Sequence, residues 1–252
     1  MNPMKPAYLL VAAAAIVASA ACNAEKGTGE AAASSGPAKA VAPPKGGDWS
    51  KMVTTTPAGG FLMGNPAAPV KLVEYGSMTC PHCAEFEEAG TKPLIEQYVK
   101  TGKVSFEFRN FVRDAADLAA SLVARCGGTN SFFPLTRALY ADQRGWFERI
   151  QSATPEQQQA LQGIPPTQQF GAIAKLAGFP QWAAQRGLPS AKSAQCLANE
   201  AEINRLVQMN SDATTQYPSF PGTPSFTING KLLEKTANWQ TLEPQLKAAV
   251  GG

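Results

Sequence analysis

Histidine is nearly absent from this 252-residue chain, which contains only one. A single histidine cannot supply the several imidazole ligands of a typical catalytic zinc or iron site. The five cysteines include only one close pair, Cys80 and Cys83, whereas four-cysteine zinc sites usually combine two such pairs. A Ser-His-Asp triad is disfavoured as well, because the one histidine, His82, stands between those cysteines. The sequence therefore predicts no metal centre and no resident cofactor.

A strong charge of one sign is also missing. The 22 Lys and Arg residues nearly balance the 19 Asp and Glu residues, which leaves a net charge of +3 without long charged runs. This balance argues against a dedicated nucleic-acid-binding protein. The hydrophobic fraction of 44% is sufficient for a full core. The length fits one domain of about 200 residues with extensions, or two small domains.

The apolar run at residues 8–21 is too short and too rich in alanine for a confident membrane-spanning helix. It follows Lys5 and ends in small residues, the pattern of an export signal, so residues 1–21 are predicted to be a signal peptide. Two cleavage sites compete. Ala18-Ser19-Ala20 fits a signal peptidase site, whereas residues 19–22 resemble a bacterial lipoprotein box, in which Cys22 would be acylated. Ser19 departs from that box, which usually has Leu there, and Cys22 can also simply lie near the cleavage point.

Residues 22–48 contain very little that could form a core. From Asn23 to Asp48, 17 of 26 residues are Ala, Gly, Pro or Ser, and Val41 is the one large aliphatic residue. Such a segment cannot bury enough apolar surface to offset its ordering entropy, so it is predicted to be a flexible linker. A linker spanning roughly 28 Å would suit a tether between a lipid on Cys22 and a folded domain, with soluble export as the alternative. Either route leads to a compartment where disulfides form.

Residues 49–252 have the pattern of an α/β domain. Residues 70–75 and 104–108 are strand-like, and the helical stretch between them, residues 84–100, should be kinked by Pro93. A strand-helix-strand order predicts parallel strands with a right-handed crossover. Strand signal returns near residues 224–233, where Asn229-Gly230 between two apolar runs predicts a type I′ hairpin, before a last helix at 239–250.

The intervening block, about residues 113–218, is predicted to be helical. One helix should end at Gly127-Gly128, and another should begin at Thr154 as N-cap with Pro155 in its first turn. The predicted helices cover residues 114–125, 132–143, 167–176, 190–196 and 200–213, besides the one that Thr154 opens. The segment therefore predicts a large helical insertion in the α/β domain.

The Cys80-Pro81-His82-Cys83 motif is typical of reversible dithiol–disulfide exchange. At a helix start, Cys80 lies near free N–H groups and the positive end of the helix dipole, which favour its thiolate and make it the attacking residue. Cys83, one turn further on, could resolve the mixed disulfide. Pro81 costs little in a first turn, and His82 is expected to add a donor and partial positive charge beside the Cys80 sulfur. The alternative is a metal half-site or a stapled loop.

This motif at a strand–helix junction, together with Gly222-Thr223-Pro224-Ser225-Phe226 before a hairpin, resembles the DsbA-like thiol:disulfide oxidoreductases. The resemblance covers residues 59–250 and implies a thioredoxin fold with a helical insertion. It implies that Pro224 is a cis-proline and that Thr223 pairs with a substrate strand. Thr223 departs from the best-known oxidases, which have Val there, whereas isomerases often have Thr. Glu74 matches the family's buried acid, which exchanges a proton with Cys83; a Glu74 at the edge of the core or facing solvent is the alternative.

Two further cysteines, Cys126 and Cys196, lie in predicted helices. In an exported protein, two such leftover cysteines tend to pair, and some relatives of the family carry a second disulfide in the helical domain. We therefore expect a structural bridge. Two free buried thiols, or a regulatory exchange with Cys80, are the other interpretations.

The predicted function is that of an exported enzyme, a protein disulfide oxidase that transfers the Cys80–Cys83 disulfide to periplasmic or other extracytoplasmic proteins. By resemblance, its reoxidant is a DsbB-like, quinone-linked membrane protein. A lipid on Cys22 would hold the enzyme near that partner. A disulfide isomerase or reductase of the same fold is the first alternative, and a non-enzymatic metal-binding or chaperone module is the second.

Overall fold

The computed structural model describes residues 39–43 and 47–251. The predicted signal peptide, Cys22 and most of the predicted linker lie outside the described residues. Among the described residues, no helix combines the length and the apolar composition that crossing a bilayer requires.

The described residues form one mixed sheet and a series of helices. The strands are β1 (Val53–Thr55), β2 (Phe61–Met63), β3 (Val70–Gly76), β4 (Val104–Asn110), β5 (Ser225–Ile228) and β6 (Lys231–Leu232). The helices are α1 (Pro81–Phe86), α2 (Lys92–Leu94), α3 (Ala115–Cys126), α4 (Phe132–Ala141), α5 (Gln143–Gln151), α6 (Pro155–Gln162), α7 (Pro166–Ala177), α8 (Phe179–Ala184), α9 (Ser190–Leu197), α10 (Glu200–Gln216) and α11 (Trp239–Ala249). Turns of 3₁₀-helix lie at Trp49–Lys51 and Gly128–Asn130.

The sheet has the strand order β1-β2-β4-β3-β5-β6. β3 runs parallel to β4, with Val70 opposite Val104, and antiparallel to β5, with Glu74 opposite Phe226. The predicted strand–helix–strand unit and the predicted hairpin are both present. Positive φ angles at Asn229 (51°) and Gly230 (81°) give the hairpin its type I′ turn. The fold is therefore the predicted α/β thioredoxin fold, with the helical insertion between β4 and β5.

Strands β1 and β2 were not predicted from the sequence. Each has three residues, and they join the sheet through antiparallel pairing of β2 with β4 and of β1 with β2. Three residues are too few to show the alternation by which a strand is recognised. Their stability comes from the neighbouring strand and from the burial of Phe61 and Met63 against the core.

The helix after β3 departs from the expected simple kink. Two π-helical turns, Glu87–Thr91 and Ile95–Val99, lie on either side of α2, which contains Pro93. Proline cannot donate a backbone hydrogen bond within a helix, and wider turns before and after it accommodate that loss. The chain nevertheless stays helical from Pro81 to Val99.

The helical insertion follows the prediction closely, with two additions. α5 begins directly after α4, so the expected end near residue 143 is instead the start of another helix. α8 follows Gly178, whose backbone is in the left-handed conformation. The helix has six residues, which are too few to show a periodic pattern. At Thr154, the predicted N-cap is present as a full capping box with Gln157.

The sheet and the insertion share one hydrophobic core. Phe61 on β2 stacks on Phe132 of α4, with 3.9 Å between the ring centroids, and Phe106 and Phe108 of β4 pack against the same helix. This packing holds α4 of the insertion against β2 and β4.

Part of the segment predicted as linker contacts the domain. The Val41 N–H donates to the Thr101 carbonyl (3.0 Å), and the Trp49 indole N–H donates to the Val41 carbonyl (2.7 Å). Val41 thus contacts the domain through its backbone N–H and carbonyl. A prediction of flexibility from side-chain composition does not consider such backbone contacts.

Candidate redox active site

Cys80 caps the N-terminus of α1. Its backbone is extended (φ −83°, ψ 119°), and Pro81 occupies the first helical turn, where its missing N–H costs nothing. Its side chain makes no capping hydrogen bond to the helix N–H groups. Both Cys80 and Cys83 carry free thiols and are buried, with 3% and 0% exposure. The two sulfurs therefore lie under the surface at the positive end of a helix.

The environment of Cys80 favours its thiolate. The hydrogen bond with the Cys83 side chain is the largest of the effects that lower the pKa of Cys80 to about 5. Burial opposes this shift, while the Thr223 side chain, the Cys83 backbone N–H and the Arg113 charge add to it. When protonated, the Cys80 thiol donates to the Thr223 carbonyl, 3.1 Å away. Because a thiolate is the nucleophile in thiol–disulfide exchange, Cys80 is suited to attack near neutral pH.

Cys83 has the opposite electrostatics. Burial raises its pKa well above the ordinary thiol value, and the hydrogen bond to Cys80 and the nearby Glu74 charge raise it further. The pair therefore holds one thiolate and one thiol at neutral pH. This asymmetry assigns different chemistry to two cysteines that are three residues apart.

Glu74 lies in the middle of β3 and is 2% exposed, so the solvent-facing alternative is wrong. Its Oε1 atom has no hydrogen-bond partner among the described residues. Burial raises its pKa well above the ordinary value, and the charges of Glu87 and Cys80 act in the same direction. A buried carboxyl that is held neutral close to Cys83 can exchange a proton with that thiol.

The predicted donation from His82 to the Cys80 sulfur is not found among the hydrogen bonds of the described residues. The Nδ1 atom of His82 lies 2.8 Å from Oε2 of Glu85, and both side chains are about two-thirds exposed (67% and 68%). The two residues are neighbours on the helix surface because they are three positions apart. The hydrogen bond to Glu85 raises the pKa of His82. The charge of Cys80 adds to this rise. His82 and Cys80 therefore interact through their charges and not through a hydrogen bond.

The loop before β5 lies beside Cys80. The Thr223–Pro224 peptide bond is cis, and the Thr223 carbonyl accepts from the Cys80 thiol. Ser225 fixes the start of the loop by donating from its hydroxyl to the Gly222 carbonyl (2.5 Å). The motif residues from the two ends of the domain are thus brought together at one site.

Residues without any motif hold the turn that leads into Cys80. The Gln143 side-chain amide donates to the carbonyls of Met78 (2.8 Å) and Cys80 (2.9 Å), and the buried Tyr140 hydroxyl donates to the carbonyl of Ser77 (3.2 Å). The helical insertion supplies both side chains. Sequence reasoning missed them because Gln and Tyr in a helix carry no signal of a role at a distant loop.

Cys126 and Cys196 form a disulfide that joins α3 to α9 across a separation of 70 residues. The bridge lies within the helical insertion and does not involve Cys80 or Cys83, both of which are free thiols.

Comparison with known proteins supports one family. The sequence model of the Thioredoxin family matches residues 56–248. The protein-disulfide isomerase of Novosphingobium aromaticivorans is 37% identical, with a TM-score of 0.71 over 76% of this chain and 97% of that one. Wolbachia pipientis alpha-DsbA1 shares the fold at 21% identity, with a TM-score of 0.61 over 78% of this chain and 94% of that one.

A Rickettsia conorii protein with the assigned name protein-disulfide oxidoreductase is 31% identical over 171 residues, which is 68% of this chain. The chain spans about half the length of that relative, 53%. The matched residues contain the Cys80–Cys83 motif, the helical insertion and the Thr223–Pro224 loop. The chain belongs to the thioredoxin family and, within it, to the DsbA-like thiol:disulfide oxidoreductases.

Proposed function

We propose that this protein is an exported enzyme that introduces disulfide bonds into extracytoplasmic proteins through a reversible Cys80–Cys83 disulfide. The observation that carries the proposal is the opposite electrostatics of the two thiols. A low pKa at Cys80 stabilises the reduced state, so the disulfide is a strong oxidant.

In the first step, a thiolate of the reduced substrate attacks the Cys80 sulfur of the enzyme disulfide. The Cys80–Cys83 bond breaks, and Cys83 leaves as a thiolate that takes up a proton because its pKa is high. We propose that Glu74 supplies that proton, because burial raises its pKa and its Oε1 has no hydrogen-bond partner among the described residues.

In the second step, another substrate thiolate attacks the substrate sulfur of the mixed disulfide. Cys80 leaves as a stabilised thiolate, and the substrate keeps the new disulfide. The substrate loses two electrons, which now reside in the reduced Cys80–Cys83 pair. One proton remains on Cys83 and the other goes to solvent.

Thr223 and Pro224 are proposed to bind the substrate backbone. The extended chain of a substrate would pair with the Thr223 backbone, as a strand added to a sheet edge. Phe220 lies beside this loop and packs on Tyr75 and Phe111, with centroid distances of 5.4 and 4.7 Å. A half-apolar surface of this kind suits unfolded chains of varied sequence.

Disulfide isomerase or reductase activity is the second candidate. Two observations favour it: Thr223 before the cis-proline, and the similarity to the Novosphingobium protein, which is named a protein-disulfide isomerase. An isomerase must be kept reduced, whereas an oxidase needs a partner that removes electrons. For the oxidase we propose a DsbB-like, quinone-linked membrane protein as this partner.

Export, and a membrane tether through a lipid on Cys22, are part of the proposal. Mass spectrometry of the mature N-terminus tests them directly. A chain that begins at an acylated Cys22 supports the tether. A chain that begins at Ala21 supports soluble export, and an uncleaved chain contradicts export.

Activity is tested by mixing the oxidised protein with a reduced, unfolded model substrate such as ribonuclease and counting the disulfides formed. We expect stoichiometric oxidation, which Cys80→Ser abolishes. Cys83→Ser, mixed instead with scrambled ribonuclease, should trap a mixed disulfide, because its Cys80 thiolate attacks a substrate disulfide and no Cys83 is present to resolve the product. The matched control is Cys126→Ala/Cys196→Ala, which should keep the activity. Reshuffling of scrambled ribonuclease without net oxidation would favour the isomerase instead.

A further inference from the structure

The buried acid Glu74 needs a route by which its proton is replaced. Each turnover of the proposed reaction transfers one proton to Cys83, and both side chains are closed to solvent, since Glu74 is 2% and Cys83 is 0% exposed. Glu74 Oε1 has no hydrogen-bond partner among the described residues. A proton-carrying group between this buried pair and water would complete the reaction.

Aromatic side chains enclose Glu74 within the sheet. It pairs with Phe108 on β4 and with Phe226 on β5, and side chains directly opposite each other lie on the same face of a sheet. A Cβ atom added at Gly76 would lie 2.5 Å from the Phe108 ring and 3.2 Å from Glu74 Oε1, so the ring and the carboxyl group are packed together. Phe86 of α1 covers Phe226, with 4.7 Å between the ring centroids. Glu74 therefore faces the layer of helices that includes α1.

Glu87 is the acidic residue on the Cys83 face of that helical segment. Its backbone N–H donates to the Cys83 carbonyl, one turn earlier. Side chains four positions apart on a helix are neighbours, with roughly 5–6 Å between their Cβ atoms. The Glu87 side chain is 19% exposed, whereas Cys83 is fully buried. Glu87 therefore extends from the buried pair towards the surface.

A cavity of about 520 Å³ borders Glu87. Its wall runs from the exposed Glu85 to the buried Tyr140. The Tyr140 ring lies 6.5 Å from the Phe108 ring, which packs on Glu74. A space of this volume can hold several water molecules or a small buffer molecule. The cavity thus gives solvent access to Glu87 close to the buried pair.

Two neighbours orient the Glu87 carboxylate. The Thr91 hydroxyl donates to its Oε2 (3.0 Å), and Nε of Arg137 on α4 lies 3.3 Å from its Oε1. Burial raises the pKa of Glu87 to about 7, although Arg137 and Thr91 oppose the rise. A carboxyl group with this pKa can both give and take a proton at neutral pH. The other charged side chains that line the cavity are Glu85 and Glu88.

We propose that Glu87 carries protons between solvent in this cavity and the buried Cys83–Glu74 pair. The proposal rests on the proposed exchange reaction and on the proposed proton role of Glu74. When the Cys80–Cys83 bond breaks, the Cys83 thiolate takes the proton of Glu74, and Glu74 takes the proton of Glu87. Solvent then reprotonates Glu87. Of the two protons that the substrate thiols release to solvent, one thereby reaches Cys83, and reoxidation of the pair reverses the transfers.

The test compares Glu87→Gln with Arg137→Gln. Both substitutions remove the ion pair, but only the first removes a group that can carry a proton. The oxidised protein is mixed at pH 7 with an excess of a reduced dithiol peptide, and quenched-flow mass spectrometry follows formation and resolution of the mixed disulfide. We expect Glu87→Gln to slow these steps by roughly threefold to tenfold and Arg137→Gln to keep them within about twofold. Glu88→Gln, which removes a neighbouring carboxylate of the same cavity, is the matched control and should keep the wild-type rate.

Chemical rescue separates proton transfer from a structural role. Glu87→Ala leaves space beside the cavity for imidazole, which carries protons near pH 7. Added imidazole should restore several-fold the rate of Glu87→Ala and leave Glu88→Ala unchanged, with an equal concentration of sodium chloride as the control. Glu87→Asp keeps a carboxyl group and should retain most of the rate; if Glu87→Ala does not fold, the difference between Glu87→Asp and Glu87→Gln carries the test. Glu74→Gln/Glu87→Gln should be no slower than Glu74→Gln, because Glu87 acts through Glu74.

A folded Glu87→Gln variant with the wild-type rate would overturn the proposal. So would equal slowing by Arg137→Gln, or a slow Glu87→Ala variant that imidazole does not restore. Further slowing by Glu87→Gln in the Glu74→Gln background would overturn it as well, since the two residues would then act separately. Failure of the proposed function looks different, because the oxidised wild-type protein would then form no mixed disulfide with the dithiol.

Discussion

Reduction of the Cys80–Cys83 bond should stabilise the protein by an amount that depends on pH. The Cys80 pKa is about 5 in the folded protein, against an ordinary value of 9.0 that applies when the chain is unfolded. The folded reduced state therefore binds fewer protons than the unfolded state between these values, and its free energy of unfolding rises with pH across that window. The stabilisation is complete above the unfolded pKa and is lost as pH falls through the folded pKa.

The magnitude follows from the difference between the two pKa values. Each pKa unit corresponds to about 1.4 kcal/mol, so the two units between pH 5 and pH 7 give about 2.7 kcal/mol as an upper value. Solvent near the site screens part of these interactions, and we expect roughly half of that at pH 7. Cys83 adds little between pH 5 and pH 7, because it stays a thiol in both states there: its pKa is raised well above 9.0 in the folded protein and has the ordinary value of 9.0 in the unfolded chain.

Urea unfolding of the oxidised and the reduced protein at a series of pH values measures the difference. Groups that do not sense the cysteines contribute equally to both forms and cancel. The reduced protein should gain stability relative to the oxidised protein from pH 5 to pH 8, whereas the free energy of unfolding of Cys80→Ser should follow the pH dependence of the oxidised protein. A difference that stays constant over this range would refute the assignment of the thiolate to Cys80.

Three further predictions concern residues around the site. Glu74→Gln cannot exchange a proton with Cys83, so we expect the mixed disulfide with a substrate to form and resolve several-fold more slowly in quenched-flow mass spectrometry; an unchanged rate would contradict the proton role. Cys126→Ala/Cys196→Ala should destabilise the protein by about 4 kcal/mol, the loop-closure entropy of a 70-residue separation, and two reactive thiols in addition to Cys80 and Cys83, counted in denatured protein whose active site is reduced, would disprove the bridge. Gln143→Ala removes two hydrogen bonds from the active-site turn and should cost about 1–3 kcal/mol in unfolding experiments, with the exposed Gln158→Ala as control.

The fold was predictable where a local pattern was strong. The alternation in β3 and β4, the Asn229-Gly230 turn and the Thr154 cap are each encoded by a few adjacent residues, and all of them are present. β1 and β2 were not predictable, because three-residue strands depend on the pairing partner that they find rather than on their own sequence.

The residues of the site also fall into two groups, those that a local sequence pattern reveals and those whose roles depend on distant parts of the chain. Cys80 and Cys83 were predicted from their spacing of three positions, and Pro224 was predicted from the Gly222–Phe226 motif. The predicted hydrogen bond from His82 to Cys80 is missing because the His82 side chain pairs with Glu85, three positions further along the helix, whereas the charges of His82 and Cys80 do interact. Gln143 gave no signal, since its role depends on how the insertion packs against the turn before Cys80.

The equilibrium redox titration of Cys80–Cys83 against glutathione tests the central claim most directly. The stabilised Cys80 thiolate predicts an oxidising potential, above about −180 mV, the value of protein disulfide isomerase. A potential near the −270 mV or so of reducing thioredoxins would contradict the oxidase.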